Sequence, residues 1–181
     1  MKLMFASDLH GSLSATHQVL ERFEHSGAGW LILLGDLLYH GPRNPLPDSY
    51  NPAEVALQLN RFADRIVAVR GNCDSEVDQM LLNFPIEATW QQVLLNERRL
   101  FLTHGHHYYP DKLPPLRAGD VFVYGHTHIP QAEKRQDVYL FNPGSASLPK
   151  GGYPASFGML RDGELQVLSL QHAEPIVQAS L

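Results

Sequence analysis

Aspartate, histidine and asparagine recur at short spacings in this chain, as Asp8-x-His10, Gly35-Asp36, Gly71-Asn72-Cys73-Asp74, His104-Gly105 and Gly125-His126-Thr127-His128. Asp8 and Asp36 offer carboxylates, His10, His104, His126 and His128 offer imidazoles, and Asn72 offers an amide oxygen. All are hard or borderline ligands for divalent cations. Seven such donors exceed the four of a closed zinc site and suit two ions that share one carboxylate. Asp36 is the natural bridge, because a carboxylate presents two oxygens where the other candidates mostly present one good contact. Asp8, His10 and His128 could complete one site, and Asn72, His104 and His126 the other, although spacing alone does not fix that partition. Paired ions of this kind lower the pKa of a shared water and polarise phosphoryl oxygens, which is the chemistry of phosphate-ester hydrolysis. Singly, each feature is ordinary: Asp-x-His is commonly a turn, and an isolated histidine is commonly a surface residue. The signal is their joint occurrence in order.

Each candidate follows a short apolar run. Leu3 to Ala6 leads to Asp8 and His10, Trp30 to Leu34 to Asp36, and Ile66 to Val69 to Asn72 and Asp74. Leu100 to Leu102 leads to His104, and Val121 to Tyr124 to His126 and His128. These runs have strand length and little polar alternation, the pattern of strands buried on both faces. Ligands of open α/β sheets bind at the carboxyl ends of strands, so the side chains converge if the strands share one sheet. His126 and His128, two apart, face the same way if their backbone is extended. Gly35, Gly71, Gly105 and Gly125 flank the candidates where sharp strand exits are expected.

Helices are expected between the first three strands. Ser12 to His25 carries Leu13, Val19, Leu20 and Phe23 with a serine cap at Ser12 or Ser14. Asn51 caps a second helix that opens on Pro52 and carries Val55, Leu57, Leu59 and Phe62. Ser75 to Leu82 is a third, capped by Asp74 or Ser75. Strand alternating with helix predicts parallel βαβ units in the first half. The second half reads as successive strands over Glu87 to Leu95, Arg98 to Thr103, Val121 to Tyr124, Val138 to Phe141, Ser156 to Leu160 and Leu165 to Leu170. Tight turns fall at Asn96-Glu97 and Asp162-Gly163. The expected architecture is two sheets packed face to face with helices outside, in a single domain over residues 1–181. Two proline-bearing loops, Leu38 to Asn51 and His106 to Pro115, are long enough to carry function or to be plain connections.

The 181 residues, 44% hydrophobic and 18% charged, are ample for a folded core. A formal charge of −5 gives no basic face for duplex nucleic acid, so no stable nucleic-acid duplex is expected as partner; a small phosphate ester, met by metal charge, fits. One cysteine, Cys73, forms no internal disulfide, and no apolar stretch approaches signal-peptide or membrane-spanning length. The expectation is a cytoplasmic protein with no membrane partner.

The ordered motif set resembles the calcineurin-like metallophosphoesterases, and Asn142-Pro143-Gly144-Ser145 with the short length resembles their small bacterial and archaeal branch. The resemblance runs from Asp8 to Ser145. It implies an α/β fold, a four-layer α/β/β/α sandwich of two mixed β-sheets flanked by helices. It also implies the partition given above with Asp36 bridging, and two divalent ions, manganese first with zinc or iron as alternatives. The implied reaction is hydrolysis of a small phosphodiester substrate, with catalytic roles at Asn72, Cys73, Asp74 and His104. Relatives often form dimers, so a homo-oligomer is a further expectation. One position departs from the family pattern. The usual motif is Gly-Asn-His-Asp, and Cys73 replaces a histidine that in relatives touches phosphate and helps protonate the leaving group, oriented by the aspartate. A thiol of pKa about 8.5 is a poorer proton donor than an imidazolium. Poor leaving groups therefore receive weak help, and monoesters suffer more than diesters. His106 and Arg43 could also reach substrate, though a surface or supporting role is the simpler reading of each. No nucleoside-specific pocket can be read from Tyr39, Tyr108, Tyr109 or Tyr153, because core or surface packing explains each equally well. The alternative function is a catalytically weak protein of this fold acting as a protein-interaction scaffold. Such a protein is expected to have lost metal ligands, whereas all seven positions stand here.

Overall fold

The first strand, β1 (Leu3–Ala6), buries every residue, and so do the last three of β2 (Trp30–Leu33). With β3 (Ile66–Ala68) they form a parallel run in which Leu3 pairs with Trp30 and Leu31 with Ile66. The structure, a computed structural model, describes residues 1–95 and 97–181. The proposed turn residue Asn96 lies outside the described residues.

The connections are the expected helices. In α1 (Leu13–Ser26) the Ser12 hydroxyl accepts from Ala15 N, and Gly27 closes the helix at φ 70°. Asn51 caps α2 (Pro52–Asn60) by accepting from Glu54 N, and proline takes the first turn. Ser75 and Asp78 form a capping box on α3 (Glu76–Leu81). Val19, Leu20, Phe23, Val55 and Leu59 pack on Met4, Ala6, Leu31 and Leu33, so the helices cover one face of this sheet. Leu57, expected in that stripe, is exposed instead.

The remaining strands are β4 (Trp90–Leu95), β5 (Arg98–Thr103), β6 (Val121–Val123), β7 (Pro130–Arg135), β8 (Val138–Pro143), β9 (Ser156–Arg161), β10 (Glu164–Ser169) and β11 (Pro175–Ser180). They complete two mixed sheets, in the orders β11-β10-β9-β1-β2-β3 and β4-β5-β6-β8-β7. Leu3, Phe5, Ile32 and Leu34 from one sheet meet Leu100, Leu102, Val121 and Phe141 from the other. Phe5 and Phe141 meet edge-on at 5.2 Å. Burying each such side chain contributes about 1.5–3 kcal/mol, so this inter-sheet layer locks the two sheets in register.

Two mixed sheets with helices are the expected α/β sandwich, and two details refine it. The strands that bear the candidate ligands do not share one sheet: β1, β2 and β3 lie in the first, β5 and β6 in the second. Their carboxyl ends still converge, because the sheets are stacked. The outer face of the second sheet is covered not by a helix but by the irregular segment after β5, whose Tyr108, Leu113 and Leu116 pack on Phe101, Phe122, Tyr124 and Leu140. Pro110, Pro114 and Pro115 explain why no helix forms there. Of the two long loops, this one is a packing layer, and the Leu38 to Asn51 loop borders the site.

Candidate metal centre

The strand ends deliver their side chains through strained backbone. Asp8, His10, Asp36, His126 and His128 all adopt positive φ, between 47° and 66°. Non-glycine residues held in this region cost roughly 1 kcal/mol or more each and cluster at functional sites. His126 and His128 are therefore not on extended backbone, and they join opposite halves of the cluster. Two glycines serve close approach rather than unusual angles. A Cβ on Gly71 would collide with Asp36, and one on Gly125 with Ser7.

Backbone hydrogen bonds then tie the loops together. His10 N donates to Asp36 O at 2.9 Å, Gly125 N to His104 O at 2.8 Å, and His126 N to Asp8 Oδ2 at 3.1 Å. Ser145 and Ser147 hydroxyls both donate to Asp8 O, roles that sequence reading did not assign. The Asn142-Pro143-Gly144-Ser145 signal marked the place but not the task.

The result is two adjoining donor clusters. In one, Asp8 Oδ1 lies 3.3 Å from His128 Nε2 and 3.7 Å from His10 Nε2. In the other, His104 Nε2 lies 3.0 Å from Asn72 Oδ1 and 3.2 Å from His126 Nδ1. Asp36 Oδ2 joins them, 3.8 Å from His10 Nε2 and 3.4 Å from His104 Nε2. Asp8, His10, Asp36, His104 and His128 are buried.

Tautomers decide what this cluster can hold. Nδ1 of His10 bonds to Tyr39 O at 3.0 Å, Nδ1 of His104 to Leu34 O at 2.7 Å, and Nδ1 of His128 to Leu148 O at 2.6 Å. A carbonyl only accepts, so each Nδ1 carries the hydrogen and each neutral ring turns an Nε2 lone pair inward. His10 Nε2 and His128 Nε2 thus face each other as lone pairs at 3.4 Å, beside Asp8 Oδ1, which has no hydrogen-bond partner among the described residues. Converging lone pairs from nitrogen and oxygen, with the far nitrogens braced by carbonyls, fit divalent cations and little else. Without a cation the cluster balances itself by a proton. Burial by itself would lower the His104 pKa, but the Asp36 and Asp8 carboxylates outweigh it and push His104 up to about 9. Burial keeps His10 and His126 below their ordinary range, hence neutral near pH 7.

Cys73 and Asp74 occupy different stations. Asp74 is a clamp: its carboxylate accepts from Asp36 N at 2.8 Å, Leu37 N at 2.8 Å and Gly71 N at 2.7 Å. Burial, with the Asp36 charge, pushes its pKa up to about 6. Cys73 N donates to Asp36 Oδ1 at 2.8 Å, while the thiol lies against Gly41 and receives Asn72 Nδ2 at 3.3 Å. Burial and then the neighbouring carboxylates push that thiol up to about 12, so it stays protonated. His106 stands beside His104, with ring centroids 5.4 Å apart. A cleft of about 840 Å³ opens over the cluster, lined by Asp36, Asn72, Cys73, His126 and His128, and on its rim by Tyr39, Arg43 and Lys150. Tyr108 belongs to the outer packing layer instead.

Two stacked mixed sheets with metal-type donors at their joined strand ends define the architecture of the calcineurin-like phosphoesterases. Residues 1–162 match the calcineurin-like phosphoesterase superfamily domain, and the chain belongs to that family. It is similar to phosphodiesterase YfcE of Escherichia coli K12, 62% identical over 181 residues that cover 100% of this chain and 98% of that protein. The solved E. coli YfcE structure superposes with a TM-score of 0.99, covering 99% of each chain. Phosphodiesterase MJ0936 of Methanocaldococcus jannaschii is 27% identical over 152 residues, 80% of this chain and 83% of that one. Vps29 of Cryptosporidium parvum shares the fold, at 18% identity and a TM-score of 0.66 over 99% and 98% of the two chains. That likeness extends to the fold alone, and the scaffold alternative is not favoured.

Proposed function

We propose that the protein hydrolyses small phosphodiesters with two divalent cations, one held by Asp8, His10, Asp36 and His128, the other by Asp36, Asn72, His104 and His126. The observation that carries this reading is the placement of Asp36 Oδ2 between the His10 and His104 Nε2 atoms, in a cluster whose lone pairs point inward. Two such ions, when bound, supply an activated water and withdraw charge from the phosphoryl group. The protein's own share is positioning. Tyr39 O, Leu34 O and Leu148 O fix three imidazole rings, and Asp74 holds the Asp36 loop against the Gly71 loop. Asn72 offers Oδ1 to the cluster and Nδ2 to the Cys73 thiol.

Asp74 in this reading is a positioning residue, since its carboxylate oxygens are engaged by backbone N–H groups and no imidazole stands between it and the cleft. Cys73, a thiol where relatives carry an imidazole, gives little help to a departing alkoxide whether it is protonated or ionised beside the cations. Good leaving groups and diesters are therefore favoured over poor ones and monoesters. Manganese comes first because of the family resemblance, with zinc and iron as alternatives, since mixed nitrogen and oxygen donors accept all three and do not choose among them. The single thiol suits a reducing compartment such as the cytoplasm. No helix among the described residues is long and apolar enough to cross a membrane.

The test uses metal-stripped protein reconstituted with manganese, zinc, iron or magnesium and assayed on matched mono- and diesters. The expected result is diester turnover that a chelator abolishes. Full activity in stripped protein contradicts the proposal.

A further inference from the structure

The rim of the cleft carries two cations that the cluster does not use. Arg43 stands on the loop after β2, and Lys150 on the loop after β8. Both are exposed, and neither side chain has an ion pair or hydrogen bond among the described residues, although the chain as a whole carries a net charge of −5. The acidic residues that line the same cleft, Asp36 and Asp74, are buried in the bonds already described.

Both cations ride on backbone that also holds the metal-type histidines. The Arg43 loop begins at Tyr39, whose carbonyl fixes His10, and is stiffened by Pro42, Pro45 and the bonds of Asn44 Nδ2 to His40 O at 2.8 Å and Asn44 N to Gly41 O at 3.3 Å. Lys150 N donates to His128 O at 3.1 Å, two residues beyond the Leu148 carbonyl that fixes the His128 ring. Each loop thus couples an imidazole orientation to the position of a charged side chain at the mouth. A plain diester has one negative charge, at the phosphorus the cluster faces, and gives these rim cations nothing of their own to bind. Unpaired cations on braced loops fit a second anion on the substrate.

We propose that Arg43 and Lys150 select diesters whose ester arm bears a second anionic group, a phosphate or a carboxylate. This inference rests on the phosphodiesterase reading above. The test compares p-nitrophenyl alkyl phosphates whose alkyl arm ends in a hydroxyl, a carboxylate or a phosphonate, on manganese-loaded enzyme. The phosphonate cannot itself be hydrolysed, and comparing it with the carboxylate separates the two anion types. The wild type is expected to prefer one or both anionic arms by about tenfold in kcat/KM, mainly through KM, and the preference should fade with added salt. In the Arg43→Ala/Lys150→Ala double variant the ratio falls towards one, while Arg43→Lys keeps part of it. Arg161→Ala, away from the cleft, keeps the full ratio. Turnover with no arm preference, or a preference that survives the double substitution, overturns this inference alone. No turnover of any diester overturns the phosphodiesterase reading and this inference with it.

Discussion

A methyl group at position 71 would occupy space that Asp36 already fills. An ideal Cβ there lies 2.9 Å from Asp36 Cγ and closer still to its Oδ1 and backbone N. Ordinary carbon contacts need about 3.5 Å, so the Asp36 loop or the Gly71 loop must retreat by roughly 1 Å. Retreat breaks the 2.8 Å bond from Cys73 N to Asp36 Oδ1 and strains the Asp74 clamp, which accepts from Gly71 N at 2.7 Å. Overpacking costs about 1–3 kcal/mol. Loss of one hydrogen bond to a charged group costs about 1.5–3 kcal/mol. Gly71→Ala should therefore lose about 2.5–6 kcal/mol, lowering a urea midpoint by about 1.3–3 M at a slope near 2 kcal/mol/M. Misplacing the shared carboxylate by about 1 Å should also cut diester turnover about a hundredfold. Gly29→Ala is the control, since a Cβ there meets nothing within 4 Å. The assays are urea unfolding followed by circular dichroism and initial rates at saturating manganese. A Gly71→Ala protein within about 0.5 kcal/mol and twofold of wild type would refute the placement of Asp36 against this loop.

Cys73→His should raise turnover of diesters with poor leaving groups by about tenfold or more, measured across a series of leaving-group pKa values, with little gain for p-nitrophenolate; flat rates across the series would make Cys73 a spacer. In metal-free protein His104 is protonated below about pH 9. An ion at Nε2 must displace that proton, so binding should release it and tighten as pH rises towards 9. Calorimetry in buffers of different ionisation heat reads that release directly, and finding none contradicts a protonated His104 in the metal-free cluster. Burial by itself would raise the Asp120 pKa, but bonds from Arg117 N, Arg99 N and the Arg99 guanidinium hold it below its ordinary value. That stability is present above about pH 4 and is lost as pH falls through the depressed pKa. Asp120→Asn should cost about 1–3 kcal/mol at pH 7 and converge with wild type in strong acid, as thermal unfolding across pH would show.

The strands that carry the candidate ligands were legible because burial on both faces leaves an unbroken apolar run, as in Leu3 to Ala6 and Val121 to Val123. The helix starts were legible to within a residue or two, since Asn51 with Pro52 advertises its cap, while Ser12 or Ser14 and Asp74 or Ser75 stood as alternatives that the structure resolves to Ser12 and Ser75. The strand Pro130–Arg135 was missed because it is an edge strand that opens on proline and is largely polar, so pairing with Val138–Pro143 defines it rather than any periodicity. Pro175–Ser180 is another half-exposed edge strand, defined the same way by its pairing with Glu164–Ser169. The seven candidate donors were picked out from residue type and order. That they converge from two stacked sheets was not, because strand order leaves no mark on a local sequence window. The carbonyls of Leu34, Tyr39 and Leu148 that fix the imidazole tautomers were also illegible, since every residue carries the same carbonyl and only the fold aims it.

The central claim is a pair of cations flanking Asp36. Anomalous diffraction from crystals grown with manganese tests it most directly. Two peaks roughly 3.5–4 Å apart are predicted, one among Asp8, His10 and His128, the other among Asn72, His104 and His126, with Asp36 touching both. A single peak, or density away from Asp36, would contradict it.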